Sequence, residues 1–159
     1  MIRVGTGFDA HPLVDGRPLV LAGVAVPFKR GLDGHSDADV LAHAIVDALL
    51  GAAALGDIGT HFPPSDSRFK DVSSMIFLEA VASLLTKNRW QIANIDATII
   101  AQEPRLSPQL GGMRAAVSKA LGLDEAQISI KATSTNGMGF PGRGEGIAAQ
   151  AVALIESVT

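Results

Sequence analysis

The stretch that decides the fold spans residues 36–64 and reads SDADVLAHAIVDALLGAAALGDIGTHFPP. Ser36, followed three residues later by Asp39, resembles a capping box, so we expect a helix to begin here and to run to Leu55. Apolar residues cover more than one face of this helix, which predicts that it is largely buried. Three polar residues interrupt it at intervals of four and lie along one stripe: Asp39, His43 and Asp47. Because buried carboxylates and imidazoles are costly without partners, this stripe predicts an adjacent metal, phosphate or polar network.

The composition excludes several classes of protein. The chain has 159 residues, enough for one domain with a core, and 47% of them are hydrophobic, which predicts further burial in an oligomer. A net charge of −3 argues against nucleic acid as a partner. Without cysteine, any metal must be held by His, Asp or Glu. No signal peptide and no apolar run long enough for a membrane helix are visible, so a soluble cytoplasmic protein without a membrane partner is expected.

Periodic patterns elsewhere predict strands that alternate with helices. Strands are predicted over 2–11, 90–102, 128–134 and 147–158 (the alanines of the last also suit a helix), a hairpin over 17–27, helices over 72–87 and 107–122, and loops over 29–35, 56–71 and 135–146. The predicted helix over 107–122 is expected to have Ser107 as N-cap and Pro108 at its first position. The predicted fold is α/β, in the α+β two-layer sense: one domain over 1–159, with a mixed, mainly four-stranded sheet and three helices packed on one face.

The first group of candidate site residues lies on the predicted strand 2–11 and on the long helix that follows Ser36. Asp9 and His11 are two residues apart, so on a strand both point to the same side, and His43 could supply a third ligand. A catalytic zinc ion takes three such ligands and keeps a fourth position open. The alternative is that Asp9 caps a turn and His43 is a hydrogen-bonded core histidine. Asp39 or Asp47 could orient His43, or could simply belong to a solvated stripe.

Three further groups suit anions, and each also has an ordinary structural interpretation. His35 and Ser36 precede the helix N-terminus, where amide groups favour phosphate, although Ser36 can equally be only an N-cap. Residues 133–136 carry hydroxyl and amide groups at the end of a predicted strand. Such groups suit phosphate oxygens, but they are also common in an ordinary Ser/Thr-rich turn. Arg143 could bind an anion or form a surface ion pair with Glu145.

Five blocks of the chain together resemble one enzyme family. The blocks are RVGTGFDAHPL, HSDADVLAHAIVDALLGAAALGDIGTHFP, IIAQEPRL, KATS and GFPGRGEGIAAQAVAL. In this order they are similar to the 2-C-methyl-D-erythritol 2,4-cyclodiphosphate synthase family of the non-mevalonate isoprenoid pathway, over nearly the whole chain. The resemblance implies an intramolecular phosphoryl transfer. In it, the 2-phosphate of 4-diphosphocytidyl-2-C-methyl-D-erythritol 2-phosphate attacks the β-phosphate, and CMP leaves.

The resemblance also implies roles for individual residues. Asp9, His11 and His43 would hold Zn²⁺ or a similar divalent cation, while His35 and Ser134 would stabilise the transition state. A second divalent cation, Mg²⁺ or Mn²⁺, would bridge the phosphates, although Asn136 stands where many relatives carry a glutamate ligand. The implied substrate-binding residues are Asp9, His11, His35, Ser36, Asp57, Ile58, Gly59, Phe62, Pro63, Pro64, Ser65 and Asp66 around the phosphates and methylerythritol, and Ala101, Gln102, Glu103, Pro104, Arg105, Leu106, Ser107, Thr133, Ser134, Thr135, Asn136, Phe140 and Arg143 elsewhere.

The same resemblance implies a homotrimer with active sites between subunits. Phe140, Arg143 and Glu145 would surround a central channel in which an isoprenoid diphosphate can bind. Two other functions remain open from the residues themselves. A metal-dependent phosphohydrolase would release a linear phosphate product, and a non-catalytic trimer would bind nucleotide or prenyl phosphates without releasing CMP.

Overall fold

The strands form one main sheet and a separate hairpin. The computed structural model describes residues 1–158, so the last residue of the predicted domain, 159, lies outside the described part. The strands in this part are β1 (Ile2–Asp15), β2 (Leu19–Leu21), β3 (Val24–Val26), β4 (Arg30–Leu32), β5 (Trp90–Ile100), β6 (Ile128–Thr133) and β7 (Gly146–Ser157). The helices are α1 (Val40–Ala53), α2 (Ile58–His61), α3 (Met75–Lys87), α4 (Leu110–Leu121) and α5 (Gly139–Gly142), with 3₁₀ turns at Ser67–Phe69 and Glu125–Gln127.

The main sheet is mixed, as predicted. Its strand order is β4-β1-β7-β5-β6, with β5 and β6 parallel and the other pairs antiparallel. The described residues give five strands rather than four, because Arg30–Leu32 pairs with the end of β1 although the sequence predicted a loop there. A run of three residues is too short to show an alternating pattern, so only pairing with β1 reveals this edge strand. The predicted strand at the chain's end, β7, lies at the centre of the sheet.

Helix α1 packs directly on the backbone of β1. A Cβ atom on Gly5 would lie 2.1 Å from the carbonyl oxygen of Ala48, and one on Gly7 would lie 1.9 Å from that of Ala44. Both contacts are far below van der Waals distance, so only glycine permits this approach. Helix α3 packs against both α1 and α4, and the three long helices form the second layer. The close approach of α1 places His43 beside the later part of β1.

Each of the three long helices begins later than predicted, and α3 begins at Met75 rather than at 72. Helix α1 begins at Val40, because the carboxylate of Asp39, rather than the hydroxyl of Ser36, accepts the N–H group of Ala42. Helix α4 begins at Leu110 rather than at Ser107–Pro108, and it ends as predicted at Gly122, whose φ of 67° is left-handed. Sequence signals for a cap mark a short region rather than one residue, since several neighbouring side chains can serve.

The sheet face opposite the helices carries exposed apolar side chains. Ile2, Val4 and Phe8 of β1 are 68%, 63% and 59% exposed, and the neighbouring Val152 of β7 is 38% exposed. Asp96 and Lys131, an ion pair on adjacent strands, border this surface, which we call the outer face. Among the described residues, no helix is both long and apolar enough to cross a membrane.

Candidate metal centre and active site

Three side chains converge where β1 meets α1. Asp9 and His11 lie on the helix-facing side of β1, and His43 lies in the first turn of α1. One ligand atom from each residue can be chosen so that all three lie within 4.8 Å of one another. Asp9 Oδ2 is 3.1 Å from His11 Nε2 and 3.0 Å from His43 Nδ1. The strand dyad and the helical imidazole therefore meet at one point, as the sequence predicted.

Backbone contact determines which nitrogen of His11 faces Asp9. His11 Nδ1 lies 2.8 Å from the carbonyl oxygen of Asp33, which can only accept a hydrogen bond. A neutral His11 therefore carries its proton on Nδ1 and presents the Nε2 lone pair to Asp9. Asp33 directly follows the edge strand β4, so this strand positions a group that orients His11.

The second imidazole is oriented by side chains from another part of the chain. The hydroxyl of Ser74 donates to Asp37 Oδ1 at 2.5 Å, so its oxygen is left to accept from His43 Nε2 at 2.8 Å. A neutral His43 then presents its Nδ1 lone pair to Asp9. Ser36 Oγ lies near both groups, 3.3 Å from His43 Nε2 and 3.2 Å from Ser74 Oγ.

The donor set fits a divalent cation. With these tautomers, two imidazole lone pairs face one carboxylate oxygen about 3 Å away, which is unfavourable unless positive charge lies among them. Without a cation, protons on the imidazoles supply this charge: burial alone would raise the pKa of Asp9, but hydrogen bonds from His11 and His43 hold it at about 2. Burial lowers the pKa of His11, yet the Asp9 carboxylate outweighs that effect and raises it. Two imidazoles and one carboxylate, with no thiolate, are a ligand set that Zn²⁺ accepts.

A cavity of about 300 Å³ opens beside these ligands. Its polar side includes Asp9, His11, His35, Ser36 and His43, and its other side includes Ile58, Gly59, Phe62, Pro64, Phe69 and Phe77. Phe62 and Phe77 stack with ring centroids 4.4 Å apart. Phe69 and Phe77 were not predicted as site residues, because at helical or loop spacing they are indistinguishable from core residues. A cavity that is half ionic and half aromatic suits a phosphate attached to a small carbon skeleton.

Loop residues predicted around this cavity are held by local hydrogen bonds. Asp57 caps α2 and accepts from the backbone and hydroxyl of Thr60 at 2.8 and 2.7 Å, and the Thr60 hydroxyl is the main cause that lowers the pKa of Asp57. Asp66 binds the guanidinium of Arg68 through both oxygens. The backbone oxygen of Asp66 is also 3.0 Å from His35 Nε2, so this loop orients the His35 ring. Four of the predicted loop residues lie outside the residues that line the cavity: Asp57, Pro63, Ser65 and Asp66.

Two interpretations of the polar stripe were wrong. The Asp39 side chain does not bond to the His43 ring, because its carboxylate accepts the backbone N–H groups of Ala22, Gly23 and Ala42. Asp47 instead accepts the N–H group of Ile58. The carboxylate of Asp39 also occupies the N-terminus of α1, so that helix end is not open to a phosphate.

The remaining predicted substrate residues lie mainly around a second cavity. Ala101–Ser107 and 132–134 line a space of about 540 Å³ that shares no lining residue with the cavity at the metal centre. Asn136 N–H donates to Ser134 Oγ at 3.3 Å, and Gly137 N–H donates to Gln102 Oε1 at 3.0 Å, which ties the loop 134–137 to this cavity.

The sheet keeps the two cavities apart within one chain. Asp9 pairs with Ala149, Ala149 with Ile99, and Ile99 with Ala132, so β1 and β6 are three strand spacings apart at this level. At about 4.8 Å per spacing, that separation is about 14 Å. One chain therefore does not bring Ser134 to the metal centre.

The residues predicted around a channel lie near helix α5. Arg143 and Glu145 form an exposed ion pair, with Nε 2.7 Å from Oε1. Phe140 and Glu145 line a third cavity, of about 300 Å³, together with Ala10, His11, Pro12 and Gly146.

The fold and site define an α+β protein with a candidate His/Asp metal site at the mouth of a cavity suited to a phosphate ester. A family model described as the YgbB family matches residues 2–156, and the chain belongs to this family. It is 56% identical over 155 residues to 2-C-methyl-D-erythritol 2,4-cyclodiphosphate synthase from Syntrophomonas wolfei, covering 98% of this chain and 99% of that one. It is 59% identical over 154 residues to the synthase from Moorella thermoacetica, covering 97% and 94%.

Solved structures agree with these relatives. The bifunctional IspDF from Campylobacter jejuni superimposes with a TM-score of 0.96 at 41% identity, covering 99% of this chain and 43% of that longer one. A CDP complex of IspF from Plasmodium falciparum gives 0.87 at 34% identity, covering 99% and 97%. The prediction that this chain is a cyclodiphosphate synthase of the non-mevalonate isoprenoid pathway is confirmed.

Proposed function

We propose that this chain converts 4-diphosphocytidyl-2-C-methyl-D-erythritol 2-phosphate to 2-C-methyl-D-erythritol 2,4-cyclodiphosphate and CMP. An oxygen of the 2-phosphate attacks the β-phosphorus, and the bond from that phosphorus to the oxygen bridging to the α-phosphate breaks. The observation that carries this proposal is the convergence of Asp9, His11 and His43 beside a phosphate-sized cavity in a chain so similar to the synthases. Because the nucleophile is part of the substrate, the protein needs no covalent residue, and its work is to position charged groups.

Asp9, His11 and His43 would hold the first cation, and Zn²⁺ is the ion that their donor atoms suit. When bound there, the cation would supply a Lewis acid that polarises a phosphate oxygen and offsets the negative charge of the phosphate. His35, held through Nε2 by the backbone of Asp66, leaves Nδ1 to contact a phosphate. Ser36 offers a hydroxyl on the same side of the cavity.

The aromatic side of the cavity would exclude water from the reacting groups. Phe62, Phe69 and Phe77 contact one another, with centroid distances of 4.4 to 5.6 Å. A dry wall favours attack by the substrate's own phosphate over attack by water. This packing supports a cyclising enzyme over a phosphohydrolase with the same metal centre.

The nucleotide would bind in the second cavity, where Ala101–Ser107 present backbone groups and Thr133 and Ser134 present hydroxyls. The Plasmodium falciparum relative, solved as a CDP complex, supports a nucleotide site in this fold. Since one chain holds its two cavities about 14 Å apart, we assign a complete site to two chains, with Ser134 of one subunit opposite His35 of the next.

A homotrimer would satisfy this requirement and cover the outer face of each sheet. Asn136, whose side-chain oxygen is a neutral ligand, would help to hold a second cation, Mg²⁺ or Mn²⁺, which would offset phosphate charge. Phe140 and Arg143 would lie toward the trimer axis, where an isoprenoid diphosphate could find an apolar surface and a guanidinium.

A turnover assay with the synthetic CDP-linked substrate tests the proposal. Nucleotide chromatography and ³¹P NMR should show CMP and the cyclic diphosphate in equal amounts. Exhaustive chelation should abolish turnover, Zn²⁺ should restore it, and His43→Ala should leave less than about 1% of the activity. A linear phosphate product would indicate a phosphohydrolase. Tight binding without release of CMP would indicate a non-catalytic protein.

A further inference from the structure

Ser74 occupies the N-cap position of α3 but does not cap that helix. A serine at this position normally accepts an N–H group from the first turn through its hydroxyl. The Ser74 side chain makes no such bond, and the residue is fully buried at 0% exposure. A buried hydroxyl that lacks this usual partner is expected to form its hydrogen bonds with other groups.

The hydroxyl of Ser74 instead links Asp37 to His43. Asp37 Oδ1 accepts from Ser74 Oγ at 2.5 Å, and Asp37 Oδ2 accepts from the Ser74 N–H group at 3.0 Å. The carboxylate therefore holds both polar groups of one residue. Asp37 is fixed in turn, since its N–H group donates to the oxygen of Val72 at 3.1 Å and Oδ1 also accepts from Asp39 N–H at 3.1 Å.

This chain of bonds has one consistent direction. An ionised carboxylate only accepts, so the single proton of the Ser74 hydroxyl goes to Asp37. The Ser74 oxygen then accepts from His43 Nε2, 2.8 Å away, which requires the imidazole proton on Nε2. His43 Nδ1 is left as a lone pair facing Asp9.

We propose that Ser74 and Asp37 are positioning residues that fix the tautomer and ring orientation of His43 for metal binding. The inference rests on the proposed metal centre and deepens it. The Asp37 carboxylate, linked to His43 by the Ser74 hydroxyl, also makes the imidazole more basic and therefore a stronger metal ligand. Hydrogen-bond partners of metal-bound histidines generally have this effect. Neither residue touches the substrate cavity, so each acts on the metal only through His43.

Two variants test the direction of the bonds. Ser74→Ala removes the acceptor and leaves the buried His43 Nε2–H without its closest partner. Asp37→Asn keeps the shape but can reverse the chain of bonds. In the reversed arrangement the new amide keeps its oxygen on the Ser74 N–H and turns its NH₂ group to the Ser74 hydroxyl, which then donates to His43 Nε2, while the Asp39 N–H loses its acceptor. That reversal moves the imidazole proton to Nδ1, the atom required for the metal.

Ser73→Ala is the matched control. Ser73 is the exposed neighbour of Ser74, and its hydroxyl accepts the Met75 N–H group at 3.3 Å at the start of α3. The control therefore disturbs the beginning of the same helix without touching His43.

The measurement is the affinity for Zn²⁺ alone, by competition with a chromophoric chelator at neutral pH. Ser74→Ala and Asp37→Asn should bind about 10- to 100-fold more weakly, and Ser73→Ala should match the wild type. Visible spectra of the Co²⁺-loaded proteins should show altered bands only for the first two variants. Affinities within twofold of wild type for both would overturn the proposal.

A second measurement needs no variant to fold. In ¹⁵N-labelled Zn²⁺-loaded wild-type protein, the imidazole signals should show the His43 proton on Nε2, protected from exchange with water by its bond to Ser74, and a proton on Nδ1 or a freely exchanging Nε2–H would overturn the proposal. The outcome is separable from the turnover assay. Zn²⁺ binding that depends on Ser74 and Asp37 in a protein that releases no CMP would refute the proposed function and support the positioning role.

Discussion

Asp39 connects three parts of the chain although it makes no contact with substrate or metal. It is fully buried, and its two oxygens accept N–H groups from Ala22 and Gly23 of the β2–β3 turn and from Ala42 of α1. Burial is the main cause that raises the pKa of Asp39 to about 6, against the opposing effect of these donors. Its role is to join the hairpin to the helix that carries His43.

We expect Asp39→Asn to lower the free energy of unfolding by about 1–3 kcal/mol, because the new amide NH₂ faces a backbone N–H donor. Urea unfolding at pH 7.5 measures the change. Asp47→Asn is the control on the same helix: its single acceptor bond, from Ile58 N–H, can be kept by an amide oxygen, so the loss should stay within about 0.5 kcal/mol. Equal losses would contradict this account of Asp39.

Among the elements, the contact between β1 and α1 determines the geometry of the metal centre. The strand carries Asp9 and His11, the helix carries His43, and Gly5 and Gly7 allow the two backbones to approach. The distance between the ligands is therefore set by backbone packing rather than by flexible side chains.

A methyl group at Gly7 would force α1 away from β1. We expect Gly7→Ala to cost about 3 kcal/mol or more in unfolding free energy, since the clash is with the carbonyl of Ala44, which cannot move alone. The variant should also weaken Zn²⁺ binding, because His43 neighbours Ala44.

Gly111→Ala is the comparison for this prediction. Gly111 is an exposed helical position, and an added Cβ would meet nothing within 4 Å, so the change should be neutral or stabilising by up to about 1 kcal/mol. Thermal and urea unfolding of both variants measure the difference. A folded Gly7→Ala protein with wild-type stability would refute the close contact.

In the whole molecule, the outer face is an exposed apolar surface that the structure of a single chain does not explain. Exposed Ile2, Val4, Phe8 and Val152 form an apolar surface on adjacent strands. Scattered apolar residues are ordinary on a surface, but a contiguous group indicates an interface. The separation of the two half-sites independently calls for a second chain.

We expect Phe8→Asp to yield monomers in place of an assembly of three 16.4 kDa chains, as measured by light scattering after size exclusion. Burying a carboxylate in an apolar interface is costly, so assembly should fail. Turnover should be lost while Zn²⁺ binding persists, because one chain supplies all three ligands. Ile76→Asp, at a 42% exposed position on α3, should change neither mass nor turnover. A trimeric, active Phe8→Asp protein would contradict the proposed assembly.

The sequence by itself determined the features that lie within single segments. The alternation in β1 placed Asp9 and His11 on one side, the apolar pattern of 36–55 predicted a buried helix with His43 on it, and the ordered blocks indicated the family. The strand β7 was also predictable, from its position after a glycine-rich turn. Periodicity and spacing carry this information because they depend only on neighbours along the chain.

Tertiary structure alone decided which remote groups became partners. Nothing local distinguished Arg30–Leu32 as an edge strand, or the carbonyl of Asp33 as the group behind His11. The sequence suggested Asp39 or Asp47 as the partner of His43, whereas the fold brings Ser74 there from the start of α3. A common serine becomes a specific hydrogen-bond partner only when packing excludes water and brings distant segments together, and no pattern within one segment records that event.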